Sequence, residues 1–333
     1  MRIAFFGTPS LSSDCLRALL YRYTVTMVVT GPDARKGRGL RLTPSPVKQE
    51  ALQAGLPVYQ PASLPGGLPD ALGRHGVEVN VVVAYGRILP AAVINPPRLR
   101  SVNLHASLLP RHRGPSPIEA ALLHGDPVTG LTLQLMEEAM DAGPILAQVE
   151  IPLDEEMNAR DLYARMRALA PGFLAEQLGR YAAGGLAPRE QDHREATYCG
   201  KIRKQDGWID WKEPSRGILN RIRALSLWPV AFTALDGMLL RVHRAAPCAG
   251  PEGTGAAAAG GMPAGGGPEA PAGSEPPGTV LGLDRRLGVV VRTGDGCLRL
   301  LELQPENRKR MDHREFINGY REIEGKVLGA QKR

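Results

Sequence analysis

Asn103 and His105 stand two residues apart in Ser101-Val-Asn-Leu-His105, a run with the alternation of a β-strand. Side chains alternate across a strand, so the carboxamide and the imidazole share one face. Two hydrogen-bond donors side by side at a strand end can stabilise a developing oxyanion. The chain then enters a stiff loop, Ser107-Leu-Leu-Pro110, followed by three basic residues, Arg111, His112 and Arg113, and a turn at Gly114-Pro115. Pro117 is placed to open a helix that Gly125 stops after His124. Strand end, polar pair, rigid loop and helix start form the rim of an active site in open α/β sheets. A lone strand histidine is more often a satisfied core residue, and the neighbouring asparagine tips His105 away from that reading. A third group of interest, Asp141, lies in the polar turn Glu137–Gly143 between strand signals at Gly130–Met136 and Pro144–Ile151. Taken alone, an Asp before Ala-Gly reads first as a turn residue.

A sheet is needed to position these groups. Arg2–Phe6 reads as a buried strand, Ser10 as the cap of a helix to about Leu20, and Thr24–Val29 as a second strand. That order predicts a parallel sheet. Ser45-Pro46 caps a helix through Ala54, and Val58-Tyr59 is a short strand. Glu78–Ala84 is the near-continuous apolar run of a strand buried on both faces. Tyr85-Gly-Arg-Ile-Leu89 follows at its end, where open sheets place ligands. Only Gly7 stands in the first turn, so the glycine pattern of a dinucleotide site is missing and a dehydrogenase is disfavoured. Asn158 to about Ala183 is amphipathic and closes the first domain as a helix.

Charge is unevenly distributed. Residues 201–333 hold 21 Lys+Arg against 15 Asp+Glu, and residues 1–200 hold 20 against 19, so nearly all of the net +7 lies in the C-terminal part. That is the footprint of a polyanionic partner such as RNA, or of a basic surface with no partner. Thr30–Lys48 adds a long basic loop with Arg35, Lys36, Arg38, Arg41 and Lys48, either a solvated surface loop or a clamp for a phosphate backbone. Residues 187–207 read as a connector with a basic run, Lys201 to Lys204. After it, a helix over Pro214–Leu225 precedes five short strands: Ala231–Leu235, Met238–Arg244, Thr279–Leu283, Gly288–Arg292 and Cys297–Leu303. With hairpin turns at Asp236-Gly237 and Gly294-Asp-Gly296, they predict a small OB-like β-barrel. Trp208 and Trp211 are expected as core or interface anchors. The stretch 249–278 interrupts the barrel. It has 10 Gly, 8 Ala and 6 Pro in 30 residues and no aromatic, the composition of a disordered insertion.

No stretch approaches the roughly 18 apolar residues of a membrane span. The N-terminus starts directly on a strand with no signal or transit pattern, which reads as a cytoplasmic protein. Four scattered cysteines without a CxxC pair argue against a disulfide framework, and no cluster suggests a metal.

These landmarks together resemble the 10-formyltetrahydrofolate-dependent formyltransferases, and among them the methionyl-tRNA formyltransferases. The resemblance is carried by Phe6-Gly-Thr-Pro9, Pro44-Ser-Pro-Val-Lys48, Val81-Val-Val-Ala-Tyr-Gly86 and Asn103-Leu-His-Ala-Ser-Leu-Leu-Pro110. Met140-Asp-Ala-Gly143, Ile209-Asp-Trp211, Trp228-Pro229 and Leu303-Gln-Pro305 extend it over almost the full chain. It implies a Rossmann-like formyltransferase domain over 1–186, the connector 187–207, and an OB-like tRNA-binding domain over 208–333. It implies Asn103, His105 and Asp141 as the catalytic trio. It implies folate contacts from Ser107, Leu108, Leu109 and Pro110 and from Tyr85, Gly86, Arg87, Ile88 and Leu89. It implies tRNA contacts from Arg35, Lys36, Arg38, Arg41 and Lys204. The implied reaction is direct formyl transfer from 10-formyltetrahydrofolate to the α-amine of initiator methionyl-tRNA by a monomer, with no metal and no membrane. His112, Pro115-Ser116 and Glu119 depart from the usual pattern at the substrate rim. Formyltransferases acting on a purine-precursor glycinamide or an amino sugar lack the basic C-terminal module. A formylfolate hydrolase would release formate without an acceptor. An RNA-binding adaptor would have no use for an intact trio.

Overall fold

The computed structural model describes residues 1–36, 41–248 and 275–329. Arg38 and the greater part of the 249–278 stretch lie outside them, as does the side chain of Lys36. The chain packs as two units. The first comprises 1–121, 126–155 and 161–201; the second comprises 122–125, 156–160 and 202–333.

The first unit is built on a seven-stranded sheet. Its elements are β1 (Arg2–Gly7), α1 (Ser10–Leu20), β2 (Thr24–Val29), β3 (Ala34–Lys36), β4 (Arg41–Thr43), α2 (Pro46–Gln53), β5 (Val58–Tyr59), α3 (Leu68–Arg74), β6 (Val79–Val83), α4 (Ala91–Ile94), β7 (Ser101–His105), α5 (Pro117–His124), β8 (Val128–Leu135), β9 (Ile145–Pro152) and α6 (Ala159–Ala182). Strand order is β5-β2-β1-β6-β7-β8-β9. Pairing is parallel from β5 to β7 and antiparallel at β7–β8 and β8–β9. The continuous apolar runs explain the central strands, since Ile3 to Phe6 and every residue of β6 are buried. Ser45 caps α2 as expected, its Oγ accepting the Lys48 amide at 3.0 Å. Among the described residues of the 30–48 stretch, β3 and β4 pair in antiparallel register, Lys36 opposite Arg41.

The second unit holds α7 (Ser215–Ala224), β10 (Ala231–Leu235), β11 (Met238–Pro247), β12 (Val280–Asp284), β13 (Gly288–Arg292), β14 (Cys297–Pro305), β15 (Met311–Asp312) and α8 (His313–Gly319). The antiparallel path runs β10-β11-β14-β13-β12, with β15 on β14. Its core gathers Trp211, Ile218, Val242, Leu300, Leu303 and Phe316. Trp211 is a core anchor, as expected, and its indole donates to Thr233 Oγ1 at 3.0 Å. The five strands expected of the OB-like domain are present, and their ladder path is open. No ladder joins β10 to β12 among the described residues. Residues 326–329 run between those edges instead: Leu328 N–H donates to Gly278 O and Gly329 N–H to Ala234 O, both at 2.8 Å. A correction concerns cysteine. Cys248 and Cys297 form a disulfide with Cα atoms 5.7 Å apart. Pro247 pairs with Leu298 across β11–β14, so the next residues face each other. Cysteines 49 residues apart in sequence give spacing rules nothing to detect.

Candidate active site

The site sits where the sheet changes from parallel to antiparallel. In β7, Asn103 pairs with Gln134 of β8, and His105 pairs with Thr132, which pairs with Gln148 of β9. Period-two geometry thus lays a polar row across one face of three strands. Its middle is dry: Thr132 is 0% and Gln134 1% exposed.

Asp141 reaches this row from the β8–β9 connection. Its φ is +51°, a left-handed conformation that Asp tolerates better than most residues. Oδ1 accepts from Gln134 Nε2 at 3.2 Å and, at 3.4 Å, from Asn103 Nδ2. Oδ2 accepts the Gly114 backbone N–H at 2.9 Å. The turn is fixed from outside by Gln191, whose Nε2 donates to the carbonyls of Asp141 at 2.9 Å and Gly143 at 2.7 Å.

His105 is 6% exposed. Its Nε2 lies 2.9 Å from the His112 carbonyl. A carbonyl only accepts, so Nε2 carries the hydrogen and donates it. Nδ1 is therefore the nitrogen left for proton exchange, and it faces Asp141 Oδ1 at 3.6 Å. Asn103, His105 and Asp141 thus converge, with one amide donor, one imidazole nitrogen and one carboxylate around one point.

The loop after β7 is rigid because its polar groups are satisfied internally. Ser107 Oγ donates to Arg111 O, and Thr132 Oγ1 donates to Ser107 O, each at 2.6 Å. Thr132 Oγ1 also accepts Leu109 N–H at 3.1 Å and Gln148 Nε2 at 3.0 Å. The Leu109–Pro110 peptide is cis. Arg111 and His112 close on Asp126 at 2.6 and 2.5 Å. Arg113 is 2% exposed; its guanidinium donates to Gln191 Oε1 at 2.7 and 3.1 Å, to the Tyr198 hydroxyl at 3.2 Å and to His193 Nδ1 at 3.0 Å. Gly114 has φ +122° and no room for a side chain, since a Cβ would lie 2.2 Å from the Cys199 carbonyl. Burial, first of all, pushes the Cys199 thiol up, which keeps it a thiol rather than a nucleophile. Burial likewise raises the Glu119 carboxyl in the first turn of α5.

The other residues singled out in the sequence fall into three groups. Ser107 and Leu109 are buried in the loop's own scaffold, while Leu108 and Pro110 are half-buried. Tyr85 and Leu89 are buried beyond β6, Tyr85 edge-on to Phe6 with ring centroids 5.7 Å apart. Arg87 holds the carbonyls of Pro61 at 2.6 Å and Ala62 at 3.1 Å, while Gly86 and Ile88 are exposed. Both segments leave the C-terminal ends of neighbouring parallel strands, with Val83 beside Leu104. Arg35 and Arg41 are exposed on the β3–β4 hairpin, and Lys204 is exposed in the second unit. Lys48, also in that basic stretch, is tied to Asp33 at 2.8 Å.

Sequence reading missed Thr132, Gln134, Gln148, Gln191 and the Gly114 N–H. The alternation of Gly130–Met136 marks Thr132 and Gln134 as one face, so those two were within reach. Gln191 belongs to no periodic element and carries no such mark. Among the described residues, no group of three or more His, Cys, Asp or Glu is arranged to hold a metal.

The family model described as formyl transferase matches residues 1–178, and the formyl transferase C-terminal domain matches 201–321. The chain is 39% identical over 334 residues to a Methylococcus capsulatus protein named methionyl-tRNA formyltransferase, covering 99% of this chain and 100% of that one. Two solved structures share the fold. WlaRD, a sugar 3N-formyl transferase solved with dTDP and 5-N-formyl-THF, superposes with TM-score 0.62 at 16% identity, covering 93% of this chain and 99% of that one. HypX from Aquifex aeolicus, solved with tetrahydrofolic acid, gives 0.60 at 17%, covering 97% of this chain and 48% of HypX. The chain therefore spans about half the length of HypX.

Proposed function

The chain belongs to the formyl transferase family, and we propose that it transfers the formyl group of 10-formyltetrahydrofolate to the free α-amine of methionyl-tRNA for translation initiation. The observation that carries the choice of acceptor is full-length similarity to a protein named for that reaction, spanning both family regions.

In this reading the neutral amine attacks the formyl carbon and a tetrahedral oxyanion forms. The new C–N bond is made first; the bond from carbon to N10 of the folate then breaks, and the amine proton ends on N10. Asn103 has a second N–H beyond the one aimed at Asp141, and that N–H serves the oxyanion. His105 acts from Nδ1, because Nε2 is held by the His112 carbonyl. Asp141 takes the proton from the amine, directly or through a water, and passes it toward N10. Folate contacts come from the Ser107–Pro110 loop and the Tyr85–Leu89 segment, with the Ser107 hydroxyl also holding the loop in shape. The tRNA backbone meets Arg35, Lys36, Arg38, Arg41 and Lys204. The protein works in the cytoplasm as a monomer; among the described residues no helix is long and apolar enough to cross a membrane.

The test is turnover with 10-formyltetrahydrofolate and charged initiator tRNA, set against glycinamide ribonucleotide and deacylated tRNA. Only the charged tRNA should accept the formyl group. Asn103→Ala should lose about 10²–10³ in rate, and full turnover by that variant would sink the assignment.

A further inference from the structure

We propose that Tyr198 is the platform on which the 3′-terminal nucleobase of the acceptor stacks. The proposal rests on the acceptor being an aminoacyl-tRNA, as read above. The reacting amine is carried on the carbon next to the ester carbonyl, and the ester oxygen belongs to the terminal ribose. So few bonds separate amine from sugar that the terminal base must lie on the rim around Asn103, His105 and Asp141.

A base platform needs an aromatic face that is open to solvent and a ring that is already fixed. Among the described residues, the exposed large aromatic side chains are Tyr21, Tyr198, Trp208 and Trp228. The two tryptophans belong to the second unit. Tyr21 is the C-cap of α1, just before β2 begins, and so lies at the sheet edge opposite the C-terminal strand ends. Tyr198 alone is tied to the catalytic loop. Arg113 N–H donates to Thr197 O, Cys199 N–H to Arg113 O, and His112 N–H to Thr197 Oγ1, each at 2.8 Å. The neighbouring Gly114 is the residue whose N–H holds Asp141.

Tyr198 is 70% exposed, yet its ring is braced. The Arg113 guanidinium carbon lies 5.8 Å from the ring centroid, and Arg113 donates to the Tyr198 hydroxyl. Arg113 is immobilised in turn by Gln191, so the support behind the ring is buried and rigid. A fixed cation on one side leaves the remaining ring surface free for a second π-system. Ordering so much apolar surface in water adds nothing to the core, which is what a preformed binding surface looks like.

The probe is deacylated initiator tRNA with 2-aminopurine replacing its terminal adenine. Wild-type protein should quench its fluorescence, Tyr198→Phe should quench it too, and Tyr198→Ala should not. In the formylation assay, Tyr198→Ala should raise KM for methionyl-tRNA about tenfold while KM for 10-formyltetrahydrofolate stays within about twofold. Tyr198→Phe, which keeps the ring and removes only the hydroxyl, should restore most of that affinity and controls for folding. Quenching that survives in the Ala variant overturns the proposal. So does a rise in KM for the folate alone, which would make the ring a pterin contact. Formylation without quenching by wild type defeats the platform and leaves the function standing. Quenching without formylation defeats the function and leaves the platform.

Discussion

In the loop after β7, Arg111 and His112 close on Asp126 and Arg113 is buried on Gln191; on the β3–β4 hairpin, Arg35 and Arg41 stand exposed. Both segments read in sequence as clusters of basic residues. The first uses its cations as internal struts, which fix the backbone that presents Gly114 N–H to Asp141. The second keeps its cations in water, and in the function proposed above they would act on a polyanion at a distance, screened by salt. Cations of the first kind should govern turnover and those of the second kind affinity.

The sharpest way to break that division starts at the carboxylate the struts serve. Asp141→Asn keeps the left-handed turn and the shape of the group but removes the proton acceptor, so kcat should fall by about 10²–10⁴. Steady-state rates at saturating tRNA read it. A fall confined to KM would place Asp141 on the binding side instead. Next in size is Gln191→Ala, which strips Arg113 of an acceptor and the Asp141 turn of its donor. We expect kcat to drop about tenfold and stability to fall by about 1–3 kcal/mol from the unsatisfied buried groups, with a rise in KM for tRNA smaller than that of Tyr198→Ala. Thermal melts and kinetics on the same preparation separate the two effects.

On the exposed side, Arg35→Ser and Arg41→Ser should leave kcat intact and weaken tRNA binding. Each phosphate that is no longer neutralised should make the slope of log K against log salt shallower by about 0.7–0.9. If kcat falls and the salt slope holds, the hairpin is structural and the contrast between the loops fails. The smallest effect concerns Glu119. Burial raises its carboxyl above the unfolded value of 4.5. A raised folded value means the stability it allows is full below 4.5 and is lost as pH rises through the folded value. Glu119→Gln should therefore raise the melting temperature at pH 7, and the gain should vanish toward pH 4.5. A gain that persists at low pH would assign the effect to packing.

Much of the fold was legible because its signals are local. The apolar runs of β1 and β6, the Ser45 cap and the Asp236-Gly237 turn each sit within a few residues. Asn103 and His105 were legible for the same reason, being two apart on one strand. The rest depends on long-range closure. Gln191 meets Asp141 across 50 residues of sequence, and Arg113 meets Tyr198 across 85. Nothing in either neighbourhood marks those partners. The hairpin at 34–43 was missed because its strands are three residues each, too short for an alternation to show. The disulfide was missed because only the β11–β14 register brings its cysteines together.

That register has a practical side. β11 pairs with β14, whereas the chain resumes in β12, which pairs with β13. The connection from 248 to 279 therefore joins strands that are not ladder partners, and no ladder prescribes its length. Loop entropy rises by only about 0.6 kcal/mol per doubling of length. Sequence between β11 and β12 can therefore be lengthened at low entropic cost without altering the β11–β14 or β12–β13 pairing, which marks it for an investigator needing a fluorophore, an affinity handle or a guest domain on this enzyme.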